Sequence, residues 1–135
     1  MHQSKLRYGI IGFGNFAERA ILPAIQASHN SEVVAIQKRN QAEAEVKARQ
    51  YGIPFAFSST EELVRCADVD AVFIVAANSQ HCAETLLASK ANKHVLVEKP
   101  MAMNVAEAQR MIDVCKQNNV KLMVGYMLRF SPLLI

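Results

Sequence analysis

Apolar positions along the chain fall into two alternating patterns, short strand-like runs and longer stretches with a helical repeat. Leu6–Ile11 is a β-rich run ending in glycines, and Glu32–Gln37, Phe55–Phe57, Ala71–Ala76, His94–Val97 and Lys121–Val124 read as further strands. Helices are expected at Asn15–Ser28, at Gln41–Tyr51 and after the capping box Ser59-Thr60-Glu61-Glu62. Two more are expected from about Ser79 to Lys90, and from Asn104 and Glu107 to near Asn118-Asn119. Pro23 lacks the N–H for the i−4 bond and should bend or break the first helix. The continuous apolar run Ala71–Ala76 suits a strand covered on both faces. Six strands alternating with helices predict an α/β fold, a parallel sheet wound on both faces. Right-handed crossovers leave few topologies, and the doubly wound order 3-2-1-4-5-6 is the first choice.

With 135 residues, 51% of them hydrophobic and 20% charged, the chain suits one domain with a real core. The net charge of +3 is scattered singly or in pairs, which argues against a nucleic-acid face. The apolar runs are too short to cross a bilayer. Met1-His2-Gln3-Ser4-Lys5 leads directly into a strand and lacks the apolar stretch of a secretory signal. Cys66, Cys82 and Cys115 are an odd set without paired spacing, read as reduced thiols filling apolar space in a cytoplasmic protein.

Gly12, Gly14 and Ala17 form the pattern G-x-G-x-x-A at the first strand–helix junction. The first glycine allows a tight turn, the second lets a pyrophosphate approach the backbone, and the third small residue lets the helix pack closely. Glycines in such a turn also serve packing alone, but this position is where dinucleotide binding requires them. The second strand ends in Ala35-Ile36-Gln37-Lys38-Arg39-Asn40, without the carboxylate that would hold the ribose hydroxyls of NAD. A 2′-phosphate would attract Lys38 and could take a two-pronged contact from Arg39, so NADP is favoured and NAD stays open. The other reading has both cations merely solvated.

In a parallel sheet all strands end along one edge, and ligands collect where the strand order reverses, between strands one and four. The Gly12 loop, Ala76-Ala77-Asn78-Ser79 and Glu98-Lys99-Pro100 should face that crevice. Pro100 pushes Lys99 towards extended geometry. Desolvation or a neighbouring cation would suit Lys99 to carry a proton. Taken alone, the residues leave that role and an ordinary surface lysine both open. His81 caps, packs or faces the cofactor; His29 reads as a turn residue and His94 as structural. The spacings suggest neither a zinc set nor a Ser/His/Asp nucleophile, and Met101, Met103, Met111, Met123 and Met127 read as core filler.

The stretch Lys93-His94-Val95-Leu96-Val97-Glu98-Lys99-Pro100 resembles the Glu-Lys-Pro signature of the glucose–fructose oxidoreductase and inositol dehydrogenase family. The glycine loop, Asn78-Ser79-Gln80-His81 and Arg129-Phe130-Ser131-Pro132 are similar to three more of its motifs, in the same order. The resemblance implies hydride transfer between a nicotinamide cofactor and a sugar, polyol or related carbonyl compound. It gives Lys99 the role of substrate binding and proton transfer, and Glu98 that of supporting Lys99 or the nicotinamide ribose. It places the cofactor against Gly12, Phe13, Gly14, Asn15 and Phe16, Ala76, Ala77, Asn78 and His81, and Arg129.

Ala76-Ala77 stands where the family commonly has Thr-Pro, which alters the loop over the nicotinamide. The family also carries a second α/β domain. Residues 1–126 are therefore expected to form the dinucleotide-binding domain and 127–135 to begin the connection to a substrate domain outside this sequence, leaving the chain inactive alone. The apolar tail Met127-Leu128 and Leu133-Leu134-Ile135 is expected to dock on a neighbouring copy in a homo-oligomer. The alternatives are a nucleotide-binding regulatory module without catalysis, which has no use for Lys99, and a biliverdin-reductase-like enzyme.

Overall fold

The computed structural model describes residues 4–134; Met1-His2-Gln3 of the lead-in and Ile135 of the tail lie outside them. Strand β1 (Leu6–Ile11) is followed by a π-helical turn (Ala17–Ile21) running into α1 (Leu22–Ala27), then β2 (Ser31–Gln37), α2 (Gln41–Tyr51), β3 (Phe55–Phe57) and α3 (Thr60–Arg65). β4 (Ala71–Ile74) leads through a 3-10 turn (Asn78–Gln80) into α4 (His81–Lys90). β5 (His94–Val97), α5 (Val105–Gln117), β6 (Leu122–Val124) and a 3-10 turn (Met127–Phe130) follow. The six strands form one parallel sheet in the order β3-β2-β1-β4-β5-β6, the doubly wound topology expected.

Alternation along the strands divides the core into two layers. Ile10, Ile36 and Phe73 pack with Phe13, Ala17, Leu22 and Ala48 beneath α1 and α2. Ile11, Val72, Ile74, Val95 and Val97 pack with Leu63, Ala88 and Met111 beneath α3, α4 and α5. Each fully buried Ile, Leu or Phe contributes about 1.5–3 kcal/mol relative to exposure. Asn40, Ser59 and Asn104 cap their helices by accepting from the N–H of Glu43, Glu62 and Glu107. Among the described residues no helix is long and apolar enough to cross a membrane.

Three elements differ from the sequence reading. The helix containing Pro23 neither breaks nor stays regular: the Leu22 N–H bonds the Ala17 carbonyl, five residues back, in a wide turn before the proline. That shift accommodates a residue with no N–H to give. Strand β4 ends at Ile74 instead of Ala76; Val75 still donates to the Ile11 carbonyl at 2.9 Å, and the chain then leaves the ladder. Asn78–Gln80 is a 3-10 turn ahead of α4.

At the amino edge of the sheet the Arg7 side chain donates to both Asp70 carboxylate oxygens, at 3.0 and 2.9 Å. The Arg7 guanidinium holds the Asp70 carboxyl below the usual carboxylate range. A depressed carboxyl pKa contributes stability above its unfolded-state value and loses it as pH falls through the folded one. Asp70→Asn should therefore flatten the drop in melting temperature below about pH 4, measured by thermal unfolding across pH; an acid limb identical to the parent's would contradict this.

Candidate functional site

The strand order reverses between β1 and β4, so a crevice opens at their carboxyl ends. Gly12 sits there at φ +83°, and a Cβ on it would lie 2.7 Å from the backbone of Ala76. Only glycine fits, for both reasons. The loop is tied to β2: the Gly12 N–H donates to Gln37 Oε1 at 3.0 Å and the Phe13 N–H to the Gln37 carbonyl at 2.8 Å. Gln37 Nε2 in turn donates to the Ser58 carbonyl at 3.1 Å. Gly14 is different, since a Cβ there would meet nothing within 4 Å. The Glu18 N–H donates to the Gly14 carbonyl at 3.0 Å as a first helical bond, leaving the amides of Asn15, Phe16 and Ala17 ahead of it at the positive end of the helix. Open space over Gly14 beside those amides fits a pyrophosphate. Ala17 is fully buried, as close packing of the helix requires.

A cleft of about 660 Å³ runs from this loop along the end of β2, past Lys38, Arg39 and Asn40, to Ser59, Thr60, Gln80 and Glu84. A second, of about 370 Å³, is lined by Phe16, Val75, Ala76, Asn78, His81, Glu98, Lys99 and Met127. The Gly12 loop, the loop after β4 and the Glu98-Lys99-Pro100 segment thus share one edge. The Lys99–Pro100 peptide bond is cis, and the Lys99 N–H donates to Glu98 Oε2 at 2.7 Å. The Lys99 side chain is exposed.

Several residues do something other than the sequence suggested. The Phe13 ring is buried edge-on against Tyr51, 6.4 Å between centroids, so only its backbone faces the cleft. Lys38 is already engaged, its Nζ donating to the Phe13 carbonyl at 3.0 Å and lying 3.7 Å from Glu43 Oε2. Arg39 is exposed in the cleft wall. His81 is 1% exposed, with Nδ1 2.8 Å from the Pro100 carbonyl and Nε2 2.9 Å from the Ala76 carbonyl. It ties the loop after β4 to the segment bearing Lys99. A neutral ring donates to one of these carbonyls and an imidazolium to both. Asn15 and Arg129 are exposed and line neither cleft among the described residues. Glu18 accepts from Lys47 Nζ at 2.7 Å and from the Tyr51 hydroxyl, which pins the π-turn to α2. Lys47 first, then Tyr51, hold its carboxyl below the usual range. Burial pushes the Cys82 and Cys115 thiols up, which makes them poor nucleophiles. Gln37 was missed by the sequence reading; its one signal is an amide as the last residue of an apolar strand.

Residues 6–126 match the oxidoreductase family with an NAD-binding Rossmann fold. The chain belongs to this family. Among curated relatives of this Rossmann domain, a D-xylose 1-dehydrogenase (NADP(+)) of Haloferax volcanii is 36% identical over 128 residues, 95% of this chain and 39% of the relative. A 1,5-anhydro-D-fructose reductase of Ensifer adhaerens is 37% identical over 123 residues, 91% of this chain and 37% of its own length. A solved 3-ketoreductase from Actinomadura kijaniata, in complex with TDP-benzene and NADP, superposes with a TM-score of 0.90 at 31% identity, covering 96% of this chain and 41% of that one. The chain thus spans about two fifths of the length of these relatives.

The two glycines of the Rossmann loop should separate on substitution. Gly12→Ala is expected to destabilise the fold by about 1–3 kcal/mol through backbone strain alone, with the clash against Ala76 adding to it. Gly14→Val should unfold within about 0.5 kcal/mol of the parent yet bind NADPH at least about tenfold more weakly, about 1.4 kcal/mol. Urea unfolding and calorimetric titration measure the two effects. A Gly14→Val chain binding like the parent would contradict the assignment of that space to a pyrophosphate.

Proposed function

We propose that this chain is the cofactor-binding part of an NADP-preferring oxidoreductase acting on a sugar, polyol or related carbonyl compound. The observation that carries the cofactor preference is the end of β2, where a buried amide, Gln37, stands in place of a carboxylate and Arg39 follows it, exposed in the cleft wall. An acidic residue there would repel a 2′-phosphate, whereas a guanidinium can bind it in two-pronged fashion. Lys38, committed to the Phe13 carbonyl, holds the glycine loop in place, which leaves Arg39 as the phosphate reader. The NADP-linked dehydrogenase and 3-ketoreductase among the relatives agree with this reading.

A bound nicotinamide supplies the hydride acceptor or donor. Phe16, Ala76, Asn78 and Lys99 line the smaller cleft in which its ring fits, and Ala77, on the same loop after β4, lines the larger cleft. Lys99, exposed and anchored by the strand end, takes or delivers the proton at the substrate oxygen. Glu98 accepts from the Lys99 backbone and fixes the direction of that segment. Carbohydrate chemistry comes from the D-xylose dehydrogenase and the 1,5-anhydro-D-fructose reductase among the relatives. Exposed Met127, Leu128, Phe130 and Leu134 beyond β6 form the apolar surface against which a substrate-binding unit, or a second copy in a homo-oligomer, packs. Arg129, on the same turn, serves that boundary, and Asn15 contributes its backbone at the helix start.

Calorimetric titration of the chain with NADPH and NADH tests the cofactor reading. NADPH should bind more tightly; Arg39→Ala should cut that preference about tenfold, about 1.4 kcal/mol, and Lys38→Ala should weaken both nucleotides to a similar degree. Tighter NADH binding by the parent, or a preference that Arg39→Ala leaves intact, would refute it.

A further inference from the structure

His81 stands between two carbonyl oxygens and, as a neutral ring, is one proton short of bonding both. Its Nδ1 lies 2.8 Å from the Pro100 carbonyl and its Nε2 2.9 Å from that of Ala76, and the residue is only 1% exposed. A carbonyl oxygen only accepts, so each contact is a hydrogen bond only where that nitrogen carries hydrogen. A neutral ring sets its bare nitrogen against oxygen in a place shut off from water, whereas an imidazolium satisfies both. Charges of both signs surround the ring. Glu98 and Lys99 line the smaller cleft with it, and among the described residues no other charged side chain does. Glu84 lies one turn on along α4, and α5 brings Glu107 and Arg110 to the neighbouring Cys82 thiol. The loop Ala76–Gln80 carries no charged side chain. His81 is also the first residue of α4, at the positive end of that helix. In the free chain the helix end, burial and Lys99 oppose a second ring proton, and the three carboxylates favour it.

We propose that His81 takes up a proton from solvent when a dinucleotide enters the crevice, and so clasps both loops at once. The phosphates bring negative charge to the sheet edge on which His81 sits. The nicotinamide half covers the smaller cleft, so that charge reaches the ring with less screening by water. Proton and nucleotide then strengthen each other's binding by the same factor. The second bond fixes the segment bearing Lys99 to the loop after β4, which sets the proton carrier in place once the cofactor is seated. His81 is thus a positioning residue, acting through the Pro100 carbonyl. It can respond in this way only if the crevice takes a dinucleotide, so this role rests on the cofactor reading above.

The test reads the His81 ring nitrogens by long-range proton–nitrogen magnetic resonance on the 135-residue chain. It is run at about pH 7.5, where an ordinary histidine is mostly neutral. The free chain should show one protonated and one bare nitrogen, and saturating NADPH should leave both protonated. A ring that bound NADPH leaves in the same state, neutral or charged, would overturn the proposal. Calorimetric titration with NADPH in two buffers of different ionisation heat counts the protons taken up on binding. The parent should take up more than His81→Asn, by up to about one proton per chain; protons exchanged by the nucleotide's own phosphates cancel in that difference. Equal uptake by the two chains would overturn the role of His81. Failure of NADPH to bind the parent would instead overturn the cofactor reading, and the role of His81 with it. The ring spectrum is recorded on the parent and assigned through its backbone, so the test stands if His81→Asn does not fold.

Discussion

The backbone of Gly12 passes so close to that of Ala76 that no side chain fits between the two loops. This contact sets the width of the crevice at the point where the strand order reverses. β1 and β4 must be neighbours for it to form, and the parallel sheet brings every other strand end to the same edge. The glycine loop, the end of β2, the loop after β4 and the Lys99 segment are therefore placed by topology before any polar bond is made. Polar bonds then lock them: Gln37 holds Gly12, Lys38 holds the Phe13 carbonyl, and His81 joins the loop after β4 to Pro100.

The strands and the order of the sheet were legible because their signal is periodic and local. A run such as Ala71-Val72-Phe73-Ile74 has only one home in this fold, buried on both faces. The caps at Ser59 and Asn104 were legible for the same reason, since each acts within three residues of itself. The motif itself told the duties of Gly12 and Gly14 apart, a turn at the first and room for a pyrophosphate at the second, but not the contact that makes Gly12 obligatory. That one faces the Ala76 backbone and the other open space depends on a strand some sixty residues away.

The side-chain roles at the crevice were harder to read because they are set by contacts between distant segments. Lys38 looked like a phosphate ligand from its place beside Arg39, but a carbonyl across the loop has claimed it. His81 could cap, pack or face the cofactor; it packs, as a buried tie between two loops. Gln37 carries no motif, and its importance shows only once the Gly12 amide and the Ser58 carbonyl are brought to its two ends. The residues alone left Lys99 open between a proton carrier and an ordinary surface lysine; on this chain it is exposed and shares the smaller cleft with Met127.

The central claim is that this one edge of the sheet takes a dinucleotide from Gly14 to Lys99. An amide nuclear magnetic resonance titration of the chain with NADPH tests it most directly. The account predicts shifts concentrated at Gly12–Phe16, Lys38–Asn40, Ala76–Asn78 and Lys99, with the opposite edge around Asn30, Asp70 and Asn92 unmoved. Shifts centred on that opposite edge, or none at saturating NADPH, would contradict it.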